Sequence, residues 1–101
     1  MAFPLKIHKQ AREEYINAFE WYEVESSGLG YKFMNEVEKR LQQIREHPEY
    51  NSYVHGLYRQ ATVEGFPYTI AYKFFPRRKL VYISSIHHNS RNPKTKFRNE
   101  T

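Results

Sequence analysis

Apolar side chains in the first half of the chain recur at the spacing of two amphipathic helices. One stripe, over residues 10–25, is formed by Ala11, Tyr15, Ala18, Phe19 and Tyr22. A second stripe is formed by Leu29, Phe33, Val37, Leu41 and Ile44. The second helix is predicted over residues 29–46, because Pro48 cannot continue it. The break at Ser26, Ser27 and Gly28 is short, so the helices are predicted to pack as an antiparallel hairpin.

Alternating apolar positions on both sides of this hairpin predict strands. Leu5 and Ile7 indicate a first strand within residues 3–8. After a polar connection over residues 47–56, strand character returns in three segments, residues 57–63, 68–75 and 79–87. The turns between these three segments are short, which predicts an antiparallel meander.

The predicted order of elements is β-α-α-β-β-β, an α+β fold. In this fold the helical hairpin packs on one face of a small, mainly antiparallel sheet, and the other face points outward, where a site is expected. A chain of 101 residues is expected to form one domain, here residues 1–93. Residues 89–101 are polar and basic without periodicity, and they are expected to be loose unless a partner holds them. Residues 94–101 are the basic polar tail beyond the domain.

Two amino acids are missing from the chain, and their absence narrows the possible chemistry. There is no Cys, which excludes thiol catalysis, iron–sulfur clusters and Cys-ligated zinc. All 11 acidic residues are Glu, which excludes sites that need Asp, such as the usual Ser-His-Asp triad or an EF-hand loop. His87 and His88 are neighbours on a predicted strand and point to opposite faces, so they cannot readily ligate one metal. No cofactor and no metal are expected.

The hydropathy of the chain indicates where the protein is located, and its charge indicates which partners it could bind. No apolar run approaches the ~20 residues of a membrane span, and residues 1–9 lack the apolar stretch of a signal peptide. Together with the absence of Cys, this favours a cytoplasmic protein. Residues 1–50 hold 7 Lys+Arg and 9 Glu, a net charge of −2, whereas residues 51–101 hold 9 and 2, a net charge of +7. The basic half fits a polyanion or an acidic partner, and equally a solvated surface.

Short motifs in a fixed order along residues 3–93 carry a resemblance to a known family. They are Ala11-Arg12-Glu13-Glu14, Trp21-Tyr22, Gly28-Leu29-Gly30, Glu36-Val37-Glu38, His47-Pro48, Tyr58-Arg59, Phe66-Pro67-Tyr68 and, after His87, Ser90-Arg91-Asn92-Pro93. In this order they resemble the RelE/ParE superfamily, the toxins of bacterial type II toxin–antitoxin modules, often labelled plasmid-stabilisation proteins. The resemblance implies a small cytosolic toxin that a cognate antitoxin neutralises by wrapping it. RelE-like members cut mRNA in the ribosome without metal, whereas ParE-like members bind and poison DNA gyrase.

Metal-free RNA cleavage needs a base, an acid and a cation around one phosphate. If this chain is a nuclease, the candidate catalytic residues are Arg59, His87 and Arg91, with Tyr68 or Tyr72 as weaker acids. Histidine exchanges protons near neutral pH, and arginine can hold a phosphate through two hydrogen bonds. These residue types are therefore the ones on which the nuclease hypothesis depends.

Compared with the RelE pattern, most of the expected catalytic residues are missing from this set. The resemblance places Arg59 at the first of two strand lysines, while Ala61 and Thr69 stand at the second lysine and at the middle-strand arginine. Near the C-terminal Arg and Tyr of that pattern lie Arg91 and Phe97, and Phe97 has no hydroxyl. The leading hypothesis is therefore a ParE-like toxin that binds a cellular target, with gyrase the first candidate. The alternatives are a RelE-like mRNA endoribonuclease and a non-toxic family member that acts as an interaction module.

Cationic residues of the C-terminal half are the candidates for binding the target or the antitoxin. They are Arg59, Lys73, Arg77, Arg78, His88, Arg91, Lys94 and Lys96. The outward face of the sheet is expected to accept an antitoxin segment, either as an added strand or as a helix in a groove. Arg59 can equally pair with a Glu or lie over apolar surface. Trp21, Tyr22 and Phe33 are assigned to the core, and a homodimer is left open.

Overall fold

The architecture follows the predicted β-α-α-β-β-β order, with one additional strand. A computed structural model describes residues 2–91 and 94–100. Its elements are β1 (Leu5–Ile7), α1 (Lys9–Glu25), α2 (Leu29–Glu46), β2 (Tyr53–His55), β3 (Tyr58–Thr62), β4 (Tyr68–Phe75) and β5 (Leu80–His88). The α+β prediction is confirmed. The additional strand is β2, which lies within the connection that was expected to be irregular.

The strands form one five-stranded sheet in the order β1-β5-β4-β3-β2. Strands β2 to β5 are antiparallel neighbours, as the predicted meander requires. β1 pairs in parallel with β5, with Leu5 opposite Val81 and Ile7 opposite Ile83. β1 and β2 therefore lie at opposite edges of the sheet. The helical hairpin connects these two edge strands and packs on one face of the sheet.

Residues at and near the N-termini of the two helices determine where each helix begins and how closely the two helices pack. His8 is the N-cap of α1, and its Nδ1 accepts a hydrogen bond of 3.0 Å from the Gln10 amide, in the place of a Ser or Thr cap. Gly28 begins α2 with a φ of 89°, a left-handed conformation that favours glycine. At Gly30 a Cβ would lie 2.6 Å from the Phe19 carbonyl oxygen, so glycine allows the two helices to approach closely. Neither helix in the described residues is long and apolar enough to cross a membrane.

The core is built from aromatic rings between the helices and the sheet. Phe33 on α2 is fully buried, and its ring lies 5.0–5.2 Å from the rings of Tyr22, Phe66 and Tyr68. These pairs are tilted or edge-on, which is the favourable arrangement for aromatic side chains. The predicted helix-two stripe is thus the core face, and the core assignment of Tyr22 and Phe33 is confirmed.

A β-bulge at Ser84 interrupts the alternation of side chains along β5. Ala71 of β4 is paired with Ser85 and Tyr72 with Ile83, so Ser84 is skipped in the pairing. Ile83 and Ile86 consequently both belong to the core, although three positions separate them. The bulge turns Ser84 towards the outward face, where its hydroxyl contacts the C-terminal segment.

Replacement of Phe33 by alanine tests the core. The substitution Phe33→Ala is expected to lower the free energy of unfolding by about 3–5 kcal/mol, because it leaves a cavity among three rings. The matched control is Val24→Ala, since Val24 is 85% exposed and its loss should change stability by less than ~0.5 kcal/mol. Urea titrations measure both. A loss below ~1 kcal/mol at Phe33 would contradict the assigned core.

Candidate functional site

A row of cationic and aromatic side chains crosses the outward face of the sheet. Lys6 on β1 is paired with Tyr82 on β5, and Tyr82 with Lys73 on β4. The Lys73 ammonium lies 4.7 Å from the centre of the Tyr58 ring on β3, and Tyr58 is paired with His55 on β2. We call these five residues the cross-sheet row. It takes one residue from every strand of the sheet.

The described part of the C-terminal tail, residues 94–100, lies across this row. The Tyr58 hydroxyl donates a hydrogen bond of 2.7 Å to the Arg98 carbonyl oxygen. The Tyr82 hydroxyl donates one of 3.0 Å to the Asn99 carbonyl oxygen. The expectation of a loose tail is therefore wrong for these residues. The composition of the segment shows that it is polar. It does not show that the hydroxyls of Tyr58 and Tyr82, which lie on distant strands, donate hydrogen bonds to its carbonyl groups.

Two side-chain contacts hold the tail at the ends of the row. The Phe97 ring is stacked on His55, with ring centres 4.8 Å apart and planes 7° apart. The Glu100 carboxylate accepts hydrogen bonds from Arg78 at 2.6 and 2.9 Å and from Lys6 at 2.9 Å. These two cations lower the pKa of Glu100 to about 2. The carboxylate thus stays ionised over the whole physiological range.

The Arg98 side chain leaves the row and closes the edge of β5. Its Nη1 donates to Glu14 at 3.0 Å and to the Ser84 carbonyl oxygen at 2.9 Å, and its Nη2 donates to Glu14 at 3.2 Å. Glu14 also accepts a hydrogen bond of 3.1 Å from the Ile86 amide. The side chains of Arg98 and Glu14 are 10% and 25% exposed, so this ion pair is largely shielded from water.

Arg59 lies on the other face of the sheet, away from the cross-sheet row. It is paired with the core residue Tyr72 and is 9% exposed. Its Nη1 donates to the carbonyl oxygens of Asn51, at 2.5 Å, and Glu49, at 3.3 Å. Its guanidinium lies 3.9 Å from the centre of the Tyr53 ring. The structure thus uses Arg59 to fix the connection after α2. It forms no Glu pair, and its place over the Tyr53 ring agrees with the alternative that it lies over apolar surface.

Tyr68 and Tyr72, the two candidate weaker acids, are also buried. Tyr72 is fully buried, donates to the Pro48 carbonyl oxygen at 2.8 Å and accepts from the Asn51 amide at 3.1 Å. Tyr68 is 8% exposed and packs against Phe33. Burial raises the pKa of both hydroxyls. Neither hydroxyl is suited to give a proton to a substrate at neutral pH.

His87 is buried at the outward face. It is paired with Thr69 and is 5% exposed, and its Nδ1 lies 3.0 Å from the Ser85 hydroxyl. Burial lowers the pKa of His87, and the nearby Lys96 and Arg98 lower it further while Glu14 opposes them. The imidazole is therefore neutral at pH 7. A neutral imidazole can accept a proton, but this one is covered.

His88 and Arg91 lie at a groove between α1 and the end of β5. The groove has a volume of about 610 Å³ and is lined by Glu14, Asn17, Ala18, Trp21, Tyr22, Pro67, Tyr68, Ile86, His87, His88, Ser90 and Arg91. His88 is paired with Tyr68, which places it on the face opposite to His87, as expected for adjacent strand residues. Trp21 is 56% exposed at the groove, so its assignment to the core is wrong.

The remaining candidate cations lie apart from this groove. Arg77 is exposed in the turn between β4 and β5, and Arg78 lies 5.0 Å from the centre of the Phe75 ring while it holds Glu100. Lys94 is exposed, and Lys96 lies over the Phe97 ring at 5.1 Å. Lys73 and Arg78, but not Arg59, thus belong to the outward face with the tail.

The arrangement is suited to binding. No group of three His or Glu side chains that could hold a metal is present among residues 2–91 and 94–100. The residues that organise the outward face are largely ones that sequence reasoning did not assign to a site, namely Lys6, His55, Tyr58, Tyr82, Glu14 and Arg98. The strand pairing brings the first four into one row. Period-two patterning alone could have placed Tyr58 and Tyr82 outward, but the register between strands is not visible in it.

Two solved structures share this architecture. A chain of the chromosomal ParDE TA system from P. aeruginosa aligns with a TM-score of 0.73 and 14% identity, over 86% of this chain and 96% of that chain. A mutant of the E. coli toxin RelE in the free state aligns with a TM-score of 0.68 and 19% identity, over 91% of this chain and 88% of that chain. No family model and no curated protein matches the sequence. At these identities the likeness concerns the fold.

The position of Arg59 predicts a structural role. Arg59→Ala is expected to lower the free energy of unfolding by about 1–3 kcal/mol, because the carbonyl groups of Glu49 and Asn51 lose their donor. The control is Arg12→Ala, which removes an exposed arginine of α1 and should leave stability within ~0.5 kcal/mol. Urea titrations compare the two. Equal stability of both variants would contradict the assigned role.

The environment of His87 predicts a dependence of stability on pH. Because the folded state lowers the pKa of His87, the unfolded state binds more protons below the ordinary value of 6.5, and stability falls as the pH drops from there towards the folded pKa. In His87→Asn this part of the dependence should disappear. Thermal melts of both proteins between pH 7.5 and pH 5, with an NMR titration of the His87 ring, measure it. A His87 ring that titrates above 6.5 would contradict the assignment.

Proposed function

We propose that this chain, which has the fold of the RelE and ParE toxins, is the toxin component of a type II toxin–antitoxin module. In this proposal it is ParE-like, resides in the cytoplasm and arrests growth by binding a cellular target, with DNA gyrase the first candidate. Its partner in the resting cell is a cognate antitoxin protein. The shared fold and the order of the sequence motifs support the toxin assignment.

The observation that carries the choice of mechanism is the separation of Arg59 from the other two candidate catalytic residues. Arg59 is buried on the helix-covered face, whereas His87, 5% exposed, and Arg91 both line the groove beside α1. A base, an acid and a phosphate clamp must all reach one phosphodiester at hydrogen-bond distance. Arg59 is bound to main-chain carbonyl groups and does not line the groove, so the groove brings together only two of the three candidates. The separation therefore favours a toxin that binds over one that cuts.

The binding surface of this proposal is the outward face together with the end groove. The outward face presents Lys73 and Arg78, and the groove presents His88, Arg91 and the exposed indole of Trp21. Exposed aromatic rings beside arginine are typical of the residues that dominate protein interfaces. Lys94 and Arg77, both exposed, add positive charge that steers an acidic partner.

A second candidate function is a RelE-like, ribosome-dependent mRNA endoribonuclease. The observation that favours it is the cross-sheet row, which places Lys6, Lys73 and two tyrosine hydroxyls on the same face as His87. Cations and hydroxyls of this kind can bind a phosphodiester. The row lacks an accessible acid–base pair at neutral pH, however, since His87 is only 5% exposed and burial lowers its pKa. We therefore rank this function second, and a non-toxic interaction module third.

Induced expression separates the two mechanisms. A gyrase-directed toxin should leave cellular mRNA intact, trigger a DNA-damage response and produce filamentous cells, and the purified chain should inhibit supercoiling by gyrase. Arg91→Ala should weaken target inhibition by roughly 5–150-fold, the range for loss of an interface contact of ~1–3 kcal/mol. Arg12→Ala, in the exposed part of α1, is the matched control and should retain inhibition. Primer extension on cellular mRNA and a supercoiling assay provide the measurements.

The opposite result would promote the nuclease. Cuts at fixed codon positions in translated mRNA, with gyrase undisturbed, would contradict the gyrase proposal. In that case, replacing His87 or Arg91 by alanine should slow cleavage by ~10²-fold or more, because each would supply proton transfer or charge stabilisation in the transition state. Absence of growth arrest, with both mRNA and gyrase unaffected, would favour the interaction module.

A further inference from the structure

The cross-sheet row already holds a peptide, which is the chain's own residues 97–100. We propose that the row is a binding track for an extended peptide with an aromatic side chain three positions before a carboxylate, and that residues 97–100 occupy it as an internal ligand. The inference deepens the proposed function, because the partner that would bring such a peptide is the antitoxin.

The four tail residues meet four of the five strands in their order across the sheet, passing over β4. Phe97 stacks on His55 of β2, and the next carbonyl group accepts from Tyr58 of β3. The following carbonyl group accepts from Tyr82 of β5, and the Glu100 side chain then reaches β1. Five strands spaced by ~4.8 Å span about 19 Å. An extended tetrapeptide covers ~10–13 Å of this, and its two terminal side chains cover the rest.

The middle of the track recognises main chain, which makes a peptide the fitting ligand. Tyr58 and Tyr82 donate to carbonyl oxygens of two consecutive residues, and every peptide carries such acceptors whatever its side chains. The Arg98 side chain leaves the row to meet Glu14, so the row itself contacts only the main chain of this residue. Tyrosines that are 6% and 1% exposed beneath the tail form fixed, desolvated donors.

The ends of the track supply selectivity. At one end, the flat His55 ring is stacked with an aromatic side chain, and the Tyr58 ring packs against the same side chain at 5.1 Å. At the other end, Arg78, in the turn between β4 and β5, and Lys6, on β1, converge on one carboxylate. The paired hydrogen bonds from Arg78 fit the geometry of a carboxylate. An aromatic–X–X–acidic pattern satisfies both ends at once.

The internal ligand makes the free chain cover its own track. A tethered segment competes at an effective concentration on the order of millimolar, so a peptide in solution must exceed this competition to bind. A partner that also contacts other surfaces of the chain can do so. Weakening the two end contacts of the tail should therefore uncover the track without removing any residue that forms it.

The test uses the full chain and a labelled peptide. The probe is a synthetic peptide with the sequence of residues 94–100, KTKFRNE, carrying fluorescein. By fluorescence anisotropy, the double variant Phe97→Ala/Glu100→Gln should bind the probe at least ~10-fold more tightly than the unaltered chain, because its own tail competes less. The same peptide carrying both substitutions should bind at least ~10-fold more weakly than the original probe.

Matched variants locate the binding on the row. In the double-variant background, Lys6→Ala should weaken probe binding at least ~5-fold, whereas Lys9→Ala, at an exposed lysine on α1, should not. Tyr82→Phe removes one hydroxyl, keeps the ring and should weaken binding as well. Equal probe binding by the unaltered chain and the double variant, or binding that ignores Lys6→Ala, would overturn the proposal. Preferential binding of a single-stranded RNA oligonucleotide to the double variant would also overturn it.

Hydrogen exchange provides a second measurement that does not depend on the probe. The Arg98 amide donates to the Ser84 hydroxyl at 3.0 Å and should exchange faster in Glu100→Gln than in the unaltered chain. Unchanged exchange would show that the carboxylate does not hold the tail, and it would overturn the proposal even if the double variant proved unstable. Neither assay reads growth arrest or gyrase. Failure of the proposed function would therefore leave a positive peptide result standing, and the reverse also holds.

Discussion

The open edge of β5 is the constraint around which the molecule is arranged. β1 is paired with β5 from Val81 to Ile83, and His8 adds one more hydrogen bond, from its amide to the Ile83 carbonyl oxygen. Beyond this point the described residues place no further strand along that edge. Its buried backbone groups would be costly without partners. The Ile86 amide is satisfied by Glu14 and the Ser84 carbonyl group by Arg98.

This solution ties three distant parts of the chain together. Glu14 belongs to α1 and Arg98 to the tail, and their ion pair sits directly on the edge of β5. Neutralising each other, the two charges can lie where water has little access. The Ser84 bulge completes the arrangement, because its hydroxyl bonds the Lys96 carbonyl group and the Arg98 amide. The course of the tail over the outward face thus follows from the need to close an edge.

The sequence predicted the elements well, because helical and strand periodicities are strong local signals. The two helices and β4 were located closely, and the motif order pointed to the correct fold. β2 was missed because it is a three-residue edge strand with every side chain exposed, so it has no buried face to produce alternation. Trp21 was assigned to the core because it is large and apolar and stands next to Tyr22 of the helix-one stripe. In the structure it faces the groove instead and is exposed.

The candidate site was less predictable, since it depends on register and on contacts between distant residues. Arg59 looked like a surface cation, and its face is decided by pairing with Tyr72, which period-two reasoning on one strand cannot show. The tail looked free because its partners, Lys6, Tyr58 and Tyr82, are spread over three strands. The composition of the tail is visible in the sequence, but the residues that it contacts are brought together only by the pairing of the strands.

The parallel pairing of β1 with β5 also bears on the order in which the structure can form. The hairpin of α1 and α2 is held by contacts between neighbouring parts of the chain. β1, in contrast, pairs with a strand more than 70 positions later, and Lys6 meets Glu100 across 94 positions. Contacts of such long separation slow folding, because the loop must close before they contribute. During synthesis the sheet face therefore stays open until residues 97–100 have been made. During this interval a partner can reach the face without having to displace the chain's own tail.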